Sequence, residues 1–226
     1  MKSEAEQRTA ADLKLLACAF EKLPKPIQDA HLTRPALITE VEPDGDGFRL
    51  MRPAGFLGPA PQALVPKLGI KTWRDAGGLG VIYAGVAMVA LLKPLLLAPS
   101  GAQRVMARSW ARTGTPLPLY LLPYLDFSDI SEIRFLAHAG SCRRISACLR
   151  GNSAAGFDAR ISRISRLGQA AKQCAALLGG GSWILDLALL PDDRIRIVEV
   201  NPALSPVELA ALGVSQVRGS DNHRGG

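Results

Sequence analysis

Asp186, Glu199 and Asn201 are the residues of this chain whose types and spacing could do chemistry. They lie in ILDLALLPDDRIRIVEVNP, residues 184 to 202, where two apolar runs flank a Pro-Asp-Asp turn. That pattern predicts a β-hairpin. A loop centred between Asp192 and Asp193 sets Asp186 directly opposite Glu199. Asn201 then shares their face, because side chains alternate along a strand with period two. The expectation depends on an even loop; a three-residue loop shifts the register by one. Directly facing side chains stand about 5 Å apart at Cβ, where two carboxylates repel. A divalent cation relieves that repulsion, and two carboxylates plus an amide oxygen are hard ligands suited to Mg²⁺. Magnesium held by so few protein groups normally carries nucleotide phosphates as well. The competing reading pairs Asp186 and Glu199 with Arg194 and Arg196, or leaves them solvated. The apolar neighbours Leu185, Leu187, Val198 and Val200 favour the metal.

The elements that must position these residues follow from periodicity and turn chemistry. Strands are expected over 36–41, 48–51, 117–122, 133–138, 143–149, 183–190 and 194–200. Helices are expected over 4–22, 76–92, 101–112 and 160–178, and the tail 219–226 has no apolar anchor. LGVIYAGVAMVALLKPLLLA, residues 79 to 98, is interrupted by Lys93 and Pro94, so it reads as a core helix and not a membrane span.

With 226 residues, 48% of them apolar and 21% charged, the chain has the composition of a globular protein with a substantial core. Four cysteines without CxxC spacing exclude a zinc ribbon and suit free thiols in a reducing, cytoplasmic setting. The net charge of +7 is unevenly spread: residues 1–40 are neutral, whereas residues 141–172 hold seven basic groups against Asp158 alone. Arg160, Arg163, Arg166 and Lys172 form one basic helical stripe beside Ile161, Ile164, Leu167 and Leu178, and Arg104, Arg108 and Arg112 form another. Neither stripe has interleaved acids, which leaves a solvated face or an anionic partner such as RNA as the two readings.

Asp186, Glu199 thirteen positions on, Asn201 and then Pro202 resemble the magnesium hairpin of the ATP-grasp superfamily. PKLGIKTWRDA (66–76), LPLYLLPYLDFSDISEIRFLAH (117–138) and RRISACLR (143–150) occur in the order of its cell division cycle protein 123-like branch. The resemblance spans residues 64 to 202. It implies an α+β ATP-grasp fold, two subdomains with antiparallel sheets enclosing a nucleotide cleft, divided as 1–116 and 117–218. It further implies ATP and Mg²⁺ as cofactors. Asp186, Glu199 and Asn201 would be the metal ligands, and Lys67 and Arg134 the catalytic cations on phosphate. Tyr120, Leu121 and Leu122 would form the adenine hinge, and Glu132 would reach the ribose. Gly69, Lys71 and Arg150 would complete the nucleotide contacts. Without the resemblance, residues 120–122 are a buried strand, Glu132 and Arg134 a surface ion pair, and Lys67 an exposed lysine. The family usually has Asn at Gly69, a basic residue at Leu122 and Gln-Arg at Ala147-Cys148, which alters adenine and substrate contacts.

The resemblance implies an ATP-dependent ligase that activates an acid, phosphate or carboxyl. The basic segment 141–172 adds an RNA end as acceptor. The alternatives are a ligase acting on a carboxylate and an ATP-binding assembly chaperone for translation initiation factor two, the role of eukaryotic members. No membrane partner is expected.

Overall fold

A computed structural model describes residues 2–44, 47–51, 63–69, 71–72, 101–127, 130–138, 140–150 and 157–213. The expected helix 76–92 and the tail 219–226 lie outside them.

Helix α1 (Glu4–Ala17) starts on a capping box: the Ser3 hydroxyl accepts from the Glu6 N–H, and the Glu6 carboxylate accepts from the Ser3 N–H. The sequence predicts one helix to residue 22, but α1 stops at Ala17. Ala19 is extended, a 3₁₀ turn covers Phe20–Lys22, and α2 (Lys25–Ala30) starts anew after Pro24. Pro24 and Pro26 have no N–H to continue a helical ladder, and Pro24 disfavours helical backbone at the residue before it.

Strands β1 (Ala36–Asp44), β2 (Gly47–Leu50), β3 (Leu64–Leu68), β4 (Lys71–Thr72) and β5 (Leu117–Pro123) form an antiparallel sheet in the order β2-β1-β5-β3-β4. Helix α3 (Gly101–Arg112) matches its expected span and buries Met106, Ala107 and Trp110. Gly69, between β3 and β4, has φ +55°, and a Cβ there would stand 2.6 Å from Met106 Sδ and 3.1 Å from Leu117 Cδ1. Helix α3 therefore closes this position to any side chain unless Met106 moves.

Strands β6 (Ser131–His138), β7 (Ser141–Arg150), β8 (Ser182–Leu189) and β9 (Ile195–Pro202) form a second antiparallel sheet, ordered β7-β6-β8-β9. Helix α4 (Phe157–Leu178) lies on it through Leu167, Ala171 and Ala175, spaced by one turn each. Helix α5 (Pro206–Ala211) follows β9 on a second capping box, Ser205 with Glu208. It packs on α1, where Lys14 meets Glu208 at 2.6 Å and Arg8 donates to the Ala211 carbonyl at 2.9 Å. One contiguous core runs through both sheets, from Leu68, Leu117 and Leu119 to Phe135, Leu185 and Leu187.

The two basic stripes are not uncompensated. Arg112 holds Asp12 of α1 in a two-pronged pair at 2.7 and 2.8 Å, and Asp12 is 3% exposed. Arg163 and Arg166 lie 3.9 and 3.7 Å from the Asp193 carboxylate, and Arg166 also donates to the Asp193 carbonyl at 2.8 Å. These acids come from distant parts of the chain, so helical spacing could not reveal them.

Candidate functional site

The β8–β9 hairpin turns through three residues, Pro191, Asp192 and Asp193, inside a Leu190 N–H to Arg194 carbonyl bond of 2.9 Å. Asp193 takes φ +63°, the left-handed residue that ends a three-residue hairpin loop. The expected even loop is thus replaced by an odd one. Leu189 pairs with Ile195, Ala188 with Arg196 and Leu187 with Ile197, and then the register shifts. Val198 is the extra residue of a β-bulge, after which Asp186 faces Glu199. The predicted pair forms by a route the sequence reading did not foresee.

Asp186 is 2% exposed and lies between two strands. On one side is Glu199; on the other is Arg134 of β6, its partner in that ladder. The Arg134 guanidinium binds both Asp186 oxygens at 2.7 Å, and this pairing holds it charged. Glu199 receives Lys67 Nζ of β3 at 3.0 Å and Asn201 Nδ2 at 2.9 Å. The Lys67 bond crosses from one sheet to the other. Arg194 pairs instead with Asp192 in the loop, at 2.6 Å, so the expected alternative with Arg194 does not occur. Glu132, two positions from Arg134, is 3% exposed and stands opposite Arg150 in the β6–β7 register. Lys71 lies in β4, opposite Leu68.

Asn201 Oδ1 is buried with no hydrogen-bond partner among the described residues. With Asp186 and Glu199 it makes three oxygen donors of the kind a hard divalent cation takes, so the residues present fit Mg²⁺. Among the described residues, no group of three or more His, Cys, Asp or Glu side chains gathers at one point, so this set has two carboxylates and an amide.

A cavity lies between the sheets, lined by Lys67, Gly69, Tyr120 and Leu122 on one side and Val198 and Val200 on the other. Tyr120 and Leu122 share a strand face; Leu121 alternates away and joins the core. The β1 ladder ends with Ala36 opposite Leu121, whereas Leu122 pairs with Val65 of β3. Tyr120 donates its hydroxyl to Glu21, and burial, then that bond, pushes the phenol pKa up.

His31 also lines this cavity, and sequence reasoning missed it. Its backbone bridges to Ile197, and the Leu32 N–H donates to the Ile197 carbonyl at 2.7 Å. Burial, then the Lys67 charge, lowers its pKa to about 4, against an opposing pull from Glu199. A lone His between a short helix and a strand carries no spacing signal.

No family model and no curated protein matches the sequence. Among solved structures, Cdc123 from Schizosaccharomyces pombe matches with a TM-score of 0.60 at 16% identity, over 84% of this chain and 85% of that one. A C-terminally truncated Cdc123 from the same organism matches with a TM-score of 0.58 over the same shares. The chain has the Cdc123 fold. It is an α+β architecture built on two antiparallel sheets, as the resemblance implied. Within the Cdc123 fold, Lys67 comes from one sheet and Arg134, Asp186, Glu199 and Asn201 from the other. Among the described residues, no helix is long and apolar enough to cross a membrane.

Proposed function

We propose that the protein binds Mg-ATP between its two sheets and acts as an ATP-dependent ligase, activating an acid group on a second substrate. The observation that carries this reading is the meeting of Asp186, Glu199 and Asn201 on one hairpin with Lys67 and Arg134 in direct contact. The metal would be held by Asp186, Glu199 and the orphaned Asn201 oxygen. When bound, the metal-nucleotide supplies a phosphoryl or adenylyl group to the acceptor.

Lys67 and Arg134 neutralise the carboxylates here. With a cation in that role, both are free to turn to phosphate, where they offset charge that grows during transfer. Leu122, Val198 and the Tyr120 ring offer an apolar wall to the base, and the edge of β5 past Leu121 offers it backbone groups. Glu132 is the candidate ribose contact; Gly69, Lys71 and Arg150 belong to the same proposed nucleotide shell.

An RNA end remains the acceptor that segment 141–172 suggests, through Arg143 and Arg144, exposed on the edge strand β7. Arg163 and Arg166 contribute less to such a surface, because each faces Asp193. The second reading is an ATP-binding chaperone of the Cdc123-like kind, favoured by a fold match that extends over 84% of this chain and not merely its hairpin core. Incubation of the protein with α- or γ-labelled ATP, RNAs of different terminal chemistry and small carboxylates separates the two. Acceptor-dependent label transfer or joining supports the ligase. Tight Mg-ATP binding without turnover on any acceptor selects the chaperone.

A further inference from the structure

His31 has no part in the metal hairpin or the phosphate cations, yet three observations set it in the cleft. It lines the cavity with Lys67, Tyr120 and Leu122. Its Nε2 is sealed from solvent and has no hydrogen-bond partner among the described residues. Its position is fixed from two directions: the ring meets Phe20 edge-on at 5.2 Å, and its backbone is bridged to Ile197 of β9, two residues before Glu199. A buried polar atom without a partner costs stability, and natural folds keep one mainly where something else completes it. A neutral imidazole is a poor counter-charge for phosphate but a good single hydrogen-bonding group beside apolar walls.

We propose that His31 is a nucleotide-specificity residue whose Nε2 hydrogen-bonds the nucleoside half of the ligand. The inference rests on the nucleotide reading above. Lys67 then meets the phosphate half and His31 the base or ribose, so the two residues divide the ligand between them. Burial and the neighbouring Lys67 keep the imidazole neutral, which suits that division.

The test is His31→Phe, which keeps the ring and its edge contact with Phe20 and removes both nitrogens. Calorimetry on the full chain measures Mg-ATP, adenosine and inorganic tripolyphosphate. The variant is expected to bind Mg-ATP and adenosine about tenfold more weakly and tripolyphosphate unchanged. Its ligand-free melting temperature should hold or rise, because an orphaned polar atom is gone. Unchanged nucleotide affinity, an equal loss for tripolyphosphate, or a lower melting temperature with unaltered binding overturns the proposal. Imidazole proton–nitrogen spectra of the wild-type chain, which has only His31, His138 and His223, give a measure independent of the variant's folding. The His31 signals should move much further with Mg-ATP than with tripolyphosphate, which reaches His31 only through the charge of the neighbouring Lys67. If Mg-ATP binds and those signals stay, His31 is overturned and the cleft reading stands. If the wild type binds no adenine nucleotide, both fall.

Discussion

Asp186 and Glu199 face each other across the β8–β9 hairpin although the loop joining their strands holds an odd number of residues. Continued from the turn without interruption, the ladder would set Asp186 opposite Val198 and send Glu199 to the other face. The bulge at Val198 restores what the loop removes. Bulges bend strands and re-aim side chains next to active sites, and here one brings two carboxylates onto a single face.

Removing either carboxylate should abolish most of the stabilisation by Mg-ATP. At nucleotide concentrations of about 100 times Kd, the wild type should gain roughly 2.7 kcal/mol, read as a melting shift. Asp186→Asn and Glu199→Gln should each lose most of that gain. Wild-type shifts in both variants would remove the hairpin from the site.

Lys67→Met and Arg134→Met should weaken ATP by about tenfold to a hundredfold and adenosine far less, as expected for a lost charged hydrogen bond to phosphate. Lys67→Met also removes the Lys67 charge from beside Glu199, so Mn²⁺ without nucleotide should bind this variant more tightly than the wild type. Titration calorimetry and manganese resonance report the two effects separately. Equal losses for ATP and adenosine would mark a folding defect.

Arg112→Met should destabilise the fold by about 3 kcal/mol, the lower end for a broken buried pair, since Arg112 is itself 36% exposed while Asp12 is sealed. Arg104→Met and Arg108→Met, on exposed positions of the same helix, should change it by less than about 0.5 kcal/mol. Urea titration distinguishes these outcomes, and similar losses at all three positions would contradict the assignment.

Stability should fall as pH drops from 6.5 towards 4. His31 has its pKa lowered to about 4 in the fold, with Lys67 and Glu199 facing it, whereas an unfolded histidine titrates near 6.5. In that window the unfolded chain binds the proton and the native chain does not, so the contribution is full above pH 6.5 and is lost on acidification. Its size is roughly 3 kcal/mol. Glu6, Asp192 and Glu208 are lowered below ordinary carboxylate values and so add their own losses only under more acid conditions. His31→Phe should flatten the slope between pH 4.5 and 6.5 in urea titrations; an unaltered slope would assign it elsewhere.

Local order by itself decided much of this protein. Apolar alternation around Pro191-Asp192-Asp193 marked the hairpin, the spacing of 101–112 marked α3 to its ends, and the succession of short motifs marked the α+β, Cdc123-like fold. Ser205 and Glu208 flanking Pro206 carried the signature of α5 and went unread because that helix has only six residues and little periodicity. The end of α1 was also legible in principle, since Pro24 and Pro26 stand where a longer helix fails.

Only the tertiary structure decided which charges meet. Arg134 reaches Asp186 because β6 and β8 are neighbours in the sheet, and Lys67 reaches Glu199, 132 residues away, because the two sheets face one another. Asp12 and Asp193 claim arginines that helical spacing had left for an anion, and His31 enters the cleft by bridging to β9. Periodicity reports which face of an element is apolar. It carries no information on which strand lies alongside, where a bulge resets the register, or which distant acid fills the space beside a cation, because those are settled by packing the whole chain at once.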